Sequence, residues 1–570
     1  MLQCLLLISL GSFHASGDDA SLAAKFPAGA IAYGEIVSIK PLVDQLPFED
    51  WKKVVENSKE YKKFKNSPQY TQVMAGKQIL SAVLGYDFDQ FFTRMMSTKA
   101  ALGVYPREGQ PIPGYLVVVH YPDRELWAKL RPQIESWTAL AAGGKTEREN
   151  IAGRQVTSLD KKVFFFTESD MLVVANDKKL LETASPVIAG KGGAKLSEDA
   201  SFKAGSASAK GNVARLYLDS EKARAIAKRD RWIPEKVDSF VGTLLLQDLL
   251  ELGSTSKSVT AGIDVQGKKV NLVVSIPGKP DRLGETYKGF LLDPNKAGAT
   301  VAPRVKGYLA GLVVHRDIQQ LYHQREKLVK EEVQPEFDKF ESGINNLVPG
   351  KNFVEDLLPM LGNQLTFLAA RQDFANRPGQ PAIKLPAFAM VAELSKPKEG
   401  GDFLLTLFQA IVPIMNFQLK ENGGQPQLLT MEKHNGVDMT FARPLSETVG
   451  KNLPIVHNFR FSAAVVENKY ILATSRDLCQ NLIDAYKGPS LSKHPGRNVV
   501  FDWNPVEVAA SLAENVDLLV ANGVKEGKPA AQAKEEATFF IDALKTISGA
   551  ELSTQVRPDD FQIRLEWTWK

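Results

Sequence analysis

An internal repeat of about half the chain constrains the fold more than any other sequence feature. Residues 168–176 read as a polar turn, an apolar strand and a small polar residue that opens a helix. Residues 467–475 have the same layout 299 positions later. Other segments pair in the same order, with spacings that drift as loops change length: 36–39 with 313–318, 115–120 with 388–392, and 262–274 with 552–565. A long repeat of this kind indicates gene duplication and predicts two similar halves.

The boundary between the halves is marked by composition. The chain has 570 residues, and a stretch rich in Pro and Gly between 277 and 300 has no helical or strand periodicity. Such stretches are typical of linkers. We therefore predict a signal peptide at 1–17, a first repeat unit at 18–290 and a second repeat unit at 300–570.

Strand pairs and helices alternate along each half. Apolar runs separated by short polar turns, as at 163–174 and 461–472, are typical of β-hairpins. Hairpins mixed with amphipathic helices favour antiparallel sheets over a doubly wound parallel sheet. The predicted fold class is α+β and internally duplicated, with two similar halves of mainly antiparallel sheet and helices packed on one face.

The N-terminus resembles an export signal. An apolar run from Leu2 to Leu10 is followed by the small residues Ala15, Ser16 and Gly17. This pattern predicts cleavage before Asp18 and an extracytoplasmic location, periplasmic or secreted. No Lys or Arg precedes the run, which leaves open a misplaced start codon, a weak signal or a disordered cytosolic tail. No other stretch reads as long and apolar enough to span a bilayer, so the mature chain is expected to be soluble or peripheral.

Composition excludes several classes of protein. The formal net charge is +4, and a charge this small produces no strong electrostatic potential over the whole protein that would require an anionic partner. A dedicated nucleic-acid binder is therefore not expected. After cleavage Cys479 would be the remaining cysteine of the two in the chain, which excludes a site built from several cysteines. Its helical, apolar surroundings predict a buried, inert thiol.

No catalytic, metal-binding or cofactor-binding set can be assigned from spacing. His315, Arg316 and Asp317 imitate a kinase catalytic loop, but no glycine-rich phosphate loop accompanies them. The seven histidines are scattered, and no zinc-binding helix motif occurs. We therefore predict a protein that is not an enzyme and has no cofactor.

A lysine cluster is the first candidate for a binding surface. Lys52, Lys53, Lys59, Lys62 and Lys63 alternate with aromatic residues on a predicted helix. Such a cluster suits an anionic partner, either a membrane surface or an acidic envelope polymer. The alternative is an ordinary solvated helix face.

Two predicted helices that close the repeats supply the second candidate. Phe240 and Leu244 in the first, and Phe540 and Leu544 in the second, follow helical spacing. They are candidates for the walls of an apolar ligand groove. The alternative is that these residues form the core face of helices lying on their sheets.

The order of elements resembles a family of exported bacterial proteins of unknown function. It is carried by a Pro-initiated strand at 26–33 and by the repeated strand–turn–helix units that follow. The resemblance implies an extracytoplasmic location and supplies no catalytic residues. The leading hypothesis is a non-catalytic envelope or secreted protein that binds or scaffolds an envelope component. The alternatives are a carrier of an apolar ligand, and a hydrolase whose residues, such as Asp219, Asp317 and Asp502, meet only in three dimensions.

Overall fold

The chain forms two compact units. The computed structural model describes residues 21–45, 52–53, 55–56, 59–110, 112–141, 146–207, 210–228, 236, 239–278, 284–287, 289–290, 298–375, 377–421, 425–446, 448–491 and 496–570. Unit 1 comprises the chain up to 232 and residues 253–278, and unit 2 comprises residues 233–252 and 279–570. The predicted first repeat runs unbroken from 18 to 290, whereas segment 233–252 is part of unit 2. The predicted signal peptide at 1–17 lies outside the described residues.

Ten strands lie in the described part of unit 1: β1 (Ala32–Ile36), β2 (Lys99–Tyr105), β3 (Gly114–His120), β4 (Thr146–Ile151), β5 (Arg154–Leu159), β6 (Val163–Glu168), β7 (Met171–Ala175), β8 (Ala214–Asp219), β9 (Ser258–Gln266) and β10 (Lys269–Pro277). Its helices are α1 (Lys40–Gln45), α2 (Lys59–Lys65), α3 (Pro68–Leu84), α4 (Phe88–Met95), α5 (Arg124–Ala141), α6 (Lys178–Ile188), α7 (Ala200–Ser206) and α8 (Ser220–Ala227).

Helix α9 (Phe240–Thr255) follows, and most of it lies in segment 233–252 of unit 2. The strands of unit 2 are β11 (Tyr308–His315), β12 (Leu361–Ala370), β13 (Gly379–Pro381), β14 (Ala387–Leu394), β15 (Gln427–His434), β16 (Val437–Pro444), β17 (Gly450–Leu453), β18 (Ser462–Val466), β19 (Lys469–Ala473), β20 (Arg497–Trp503), β21 (Ile547–Val556) and β22 (Asp560–Trp569). Its other helices are α10 (Ile318–His323), α11 (Arg325–Leu328), α12 (Gln334–Leu347), α13 (Pro397–Glu421), α14 (Arg476–Lys487), α15 (Pro505–Ala513), α16 (Val516–Lys525) and α17 (Ala530–Leu544).

The ten-stranded order is the same in both units. In unit 1 neighbouring strands pair in the order β4-β5-β6-β7-β3-β2-β1-β8-β9-β10. In unit 2 the order is β15-β16-β18-β19-β14-β12-β11-β20-β21-β22. Each strand of the first series occupies the place of its counterpart in the second, and all these pairings are antiparallel. The short strands β13 and β17 of unit 2 pair separately and in parallel. The α+β class with mainly antiparallel sheet is therefore confirmed.

The prediction that helices cover one face of each sheet is wrong. In unit 1, Leu116 and Val118 of β3 pack in one hydrophobic cluster with Leu181 of α6. The intervening Val119 packs in another cluster with Leu126 of α5. Successive side chains of a strand point to opposite faces, so both faces carry helices. Continuous apolar runs such as β3 require this arrangement, because both of their faces must be buried.

Unit 2 follows the same principle. Tyr470 of β19 packs in a cluster that contains Phe403 of α13. Its neighbour Ile471 packs in a different cluster with Leu478 of α14. The two faces of this sheet are therefore also covered by different helices.

Helix α13 corrects a second expectation. By length and composition it could cross a membrane, with a mean hydropathy of 1.3 over 18 residues. The sequence predicts no such stretch beyond the N-terminal run, so this prediction is wrong. The first half of α13 packs in the core through Phe403 and Phe408, whereas Ile414 and Phe417 farther along are exposed. Its high hydropathy arises because apolar residues occupy both the core-facing side and part of the solvent side.

Candidate functional site

Helices α2 and α3, residues 59–84, form what we call the basic arm of unit 1. Lys62 and Lys63 are exposed in the last turn of α2. Lys52 and Lys53 are also helical and exposed, just before the arm. The backbone of Lys59 is helical, and its side chain lies outside the described part of the chain. The structure thus places the lysine cluster on helices, as expected.

Local sequence signals define the two helices of the arm. Ser67 caps α3 by accepting a hydrogen bond from the amide of Tyr70, and Pro68 occupies the first turn, where no amide donor is needed. Phe64 of α2 meets the edge of Tyr70 at a ring separation of 5.6 Å, which links the helices. The chain leaves α3 at Gly85, whose φ of 69° suits glycine.

The charge of the arm is mainly positive, with five lysines and one acidic residue, Glu60. Residues 61–86 contain four lysines and no Asp or Glu. In α2, Lys62, Lys63 and Lys65 form no ion pair with any residue that the structure describes. The ammonium group of Lys77 lies 4.2 Å from the ring centre of Phe88 instead of beside a carboxylate. Positive charge is therefore available here for an outside partner.

Helix α3 also exposes apolar side chains. Leu84 is the one buried residue of α3, whereas Ile79 is 62% exposed and Val73 is 49% exposed. Val83 lies one turn after Ile79 and is 39% exposed. In unit 2, β12 holds the place that β2 has in unit 1. Helix α12, which precedes β12, buries Phe337 and Ile344 in the core. The two units thus use this part of the fold differently.

The sequence indicates the lysine cluster but not the exposure of the apolar residues beside it. No sequence prediction singled out Ile79 or Val83, because helical spacing does not identify the side of a helix that meets the sheet. A sequence feature that distinguishes this segment from an ordinary solvated helix is that residues 61–86 contain no Asp or Glu.

The four candidate groove residues occupy different surroundings. Leu244 is buried in the cluster that contains Phe337 and Phe403. Leu544 is buried in a separate cluster with Ala509 and Ile541. Phe540 is 55% exposed, and the side chain of Phe240 lies outside the part of the chain that the structure describes. The structure therefore assigns Leu244 and Leu544 to core faces and does not bring them into one apolar cluster.

Two of the three aspartates considered for hydrolysis cap helices. The Asp219 carboxylate accepts from the amide of Lys222 at the start of α8. The Asp317 carboxylate accepts from the amide of Gln320 at the start of α10. These bonds satisfy free amide groups at helix starts and account for the choice of Asp at both positions.

The third aspartate, Asp502, has a perturbed pKa. Its buried carboxylate accepts a hydrogen bond from the Tyr308 hydroxyl and pairs with Arg304 at 2.8 Å. Burial raises the pKa of Asp502 to about 6, although the charge of Arg304 opposes the rise and Glu551 adds to it. Glu551 lies directly opposite Asp502 in the β20–β21 register. A carboxyl group with this pKa could exchange a proton near neutral pH, but both of its oxygens already have partners in the protein.

Other reactive groups are similarly occupied. An open cleft of about 720 Å³ in unit 1 has Arg154 and Glu168 on its wall, and these two form an ion pair with each other. Burial raises the pKa of the Cys479 thiol to about 12, which matches the inert thiol that the sequence predicts. Within the described ranges, no group of three or more His, Cys, Asp or Glu residues is placed to hold a metal ion.

Comparison with known proteins adds little to this site. No protein-family model matches the chain, and no curated protein sequence matches it. The chain is similar in part to the crystal form III structure of TP0453, with 9% sequence identity and a TM-score of 0.22. That match covers 46% of this chain and 81% of the other. A likeness at this level carries no conclusion about fold or function.

Proposed function

We propose that this chain is an exported, non-catalytic binding protein made of two duplicated units, and that the basic arm contacts an anionic surface of the cell envelope. The shared order of ten strands in the two units supports the duplication. The N-terminal apolar run supports export.

The observation that carries the binding proposal is the exposed positive charge at Lys62, Lys63 and Lys65 of the arm. Lys62, Lys63 and Lys65 make no ion pair with described residues, and no acidic residue lies between 61 and 86. Lysines that serve folding or solubility are usually interspersed with carboxylates. A run of one sign creates a local positive potential that attracts an anionic surface even though the net charge of the chain is small.

Replacing lysines of this region tests the proposal. In the full chain, Lys59, Lys62, Lys63 and Lys65 of the arm are changed together to Gln, and sedimentation with anionic vesicles or an acidic polymer is measured at low salt. Each lysine near an anionic membrane contributes about 1 kcal/mol, so binding should weaken by roughly two to three powers of ten. Raising the salt should shrink the difference, because exposed charges are screened beyond about 10 Å at 0.1 M.

A matched variant separates the arm from total charge. Lys179, Lys203, Lys257 and Lys268 are exposed in unit 1, and changing these four to Gln removes the same charge elsewhere. This control should bind like the unmodified chain. If both variants lose binding equally, the contact depends on net charge and not on the arm. If the unmodified chain binds neither vesicles nor polymer at low salt, the proposal is wrong.

A further inference from the structure

We infer that the anionic surface is a lipid bilayer and that helix α3 lies in its interface, with Ile79 and Val83 among the acyl chains. This inference rests on the proposed function and specifies the partner of the same site. It distinguishes a bilayer from an acidic polymer, since both would satisfy the lysines and only the bilayer offers apolar volume.

The exposed apolar residues carry the argument. Ile79 is 62% exposed and Val83 is 39% exposed, one helical turn apart on the same side of α3. Leu84 of α3 is buried and Leu80 is partly buried, and both pack in the hydrophobic cluster that contains Phe91 of α4 and Leu126 of α5. Ile79 and Val83 directly precede Leu80 and Leu84, so they lie about 100° around the helix from these attached residues, on a side of α3 that the described residues leave exposed.

The surroundings of these residues fit an interface. Ala75 and Ala82 flank the exposed side of α3, so small side chains allow the helix to approach a flat surface closely. The lysines of α2 precede α3 directly, joined to it by the Phe64–Tyr70 contact. Lysine side chains can extend to lipid headgroups while neighbouring apolar residues enter the acyl boundary. An acidic polymer offers no comparable gain for Ile79 or Val83.

The test uses the full chain with two probes: vesicles of equimolar phosphatidylcholine and phosphatidylglycerol, and immobilised dextran sulfate. The variant Ile79→Gln/Val83→Gln keeps every lysine. At about 1 M salt, where the Debye length is roughly 3 Å, charge attraction is largely screened and the apolar contribution remains. There the variant should bind vesicles roughly ten- to a hundredfold more weakly than the unmodified chain. Its binding to dextran sulfate at low salt should be unchanged.

A control variant, Leu216→Gln/Ile226→Gln, alters two apolar residues of unit 1 that are exposed to a similar degree, 57% and 55%. It should bind vesicles like the unmodified chain. Insertion is read directly by placing an environment-sensitive dye on Ile79→Cys in a chain that also carries Cys4→Ser, because the remaining Cys479 is buried. The dye emission should shift to the blue with vesicles and stay unchanged with dextran sulfate.

The outcomes separate the two levels of proposal. If the Gln variant binds vesicles like the unmodified chain at high salt and the dye does not shift, the bilayer inference is overturned while charge-driven binding stands. An acidic polymer is then the favoured partner. If the unmodified chain binds neither probe, both the inference and the proposed function fail.

Discussion

The role of Arg316 is set by its partners in the folded protein and not by its neighbours in the sequence. In the sequence it stands between His315 and Asp317 and imitates a catalytic motif. In unit 2 its side chain is fully buried, donating to the Asp248 carboxylate at 2.8 Å and to the Phe290 carbonyl at 2.6 Å. Burial raises the pKa of Asp248 and lowers the pKa of Arg316. The charge of Arg316 opposes the first shift, and the charge of Asp248 opposes the second. The pair joins helix α9 to the end of β11 and serves the fold.

Asp502 leads to a prediction about pH. Its pKa of about 6 in the folded protein exceeds the usual value near 4, so folding favours the protonated carboxyl. The stability it contributes is present below about pH 4 and is lost as pH rises through 6. The side chain introduced by Asp502→Asn cannot ionise. Relative to the unmodified protein, the free energy of unfolding of this variant should therefore gain about 2 kcal/mol between pH 4 and pH 7.

Urea unfolding of both proteins at the two pH values measures this gain. Asp559→Asn removes an exposed aspartate and controls for net charge. An equal difference between the Asp502→Asn variant and the unmodified protein at both pH values would show that Asp502 ionises normally.

At the element scale, the side of a helix that packs in the hydrophobic core is the side that approaches the sheet closely. Helix α13 packs on its sheet through Gly401, where an added Cβ would lie 2.9 Å from Cγ2 of Val465. Helix α3 has no such contact along most of its length, and its exposed residues include Ile79. Both helices are apolar in sequence, and only one is a core helix throughout its first half.

A substitution at Gly401 tests this packing. Gly401→Leu must displace Val465 and neighbouring core side chains, so it should lower the free energy of unfolding by about 1–3 kcal/mol. Gly343 in α12 is the matched control, since nothing lies within 4 Å of an added Cβ there. Gly343→Ala should raise stability by about 0.5–1 kcal/mol through helix propensity. Chemical denaturation measures both, and a neutral Gly401→Leu would contradict the close packing.

At the scale of the whole molecule, unit 2 is assembled from two separate stretches of chain. Segment 233–252 precedes the last strands of unit 1 in sequence but belongs to unit 2. It supplies Leu244 to the hydrophobic core and Asp248 to the buried pair with Arg316. The predicted first repeat of 18–290 is therefore interrupted, because segment 233–252 within it contributes to unit 2.

The contribution of segment 233–252 to unit 2 can be tested by producing the two stretches of the unit separately. A fragment of residues 279–570 leaves Arg316 buried without its carboxylate, a change that typically costs about 3–5 kcal/mol. A synthetic peptide of residues 233–252 should raise the melting temperature of the fragment when added in excess. A peptide carrying Asp248→Ala should raise it much less. Equal effects of the two peptides would contradict the role of the buried pair.

The sequence by itself determined the class of fold and the positions of many elements. Hairpins such as β6–β7 and β18–β19, helix starts at Asp219 and Asn504, and the buried thiol of Cys479 all follow from local patterns. These features depend on residues close together in the chain, whose periodicity and capping chemistry are legible without tertiary contacts.

The tertiary structure decided what depends on distant residues. It placed helices on both faces of each sheet, assigned segment 233–252 to unit 2 and paired Arg316 with Asp248. It also left Ile79 and Val83 exposed beside the lysines of the arm. An apolar residue on a helix has the same local signature whether it meets a sheet or solvent. The difference arises only when the chain brings a partner surface to one side and leaves the other uncovered.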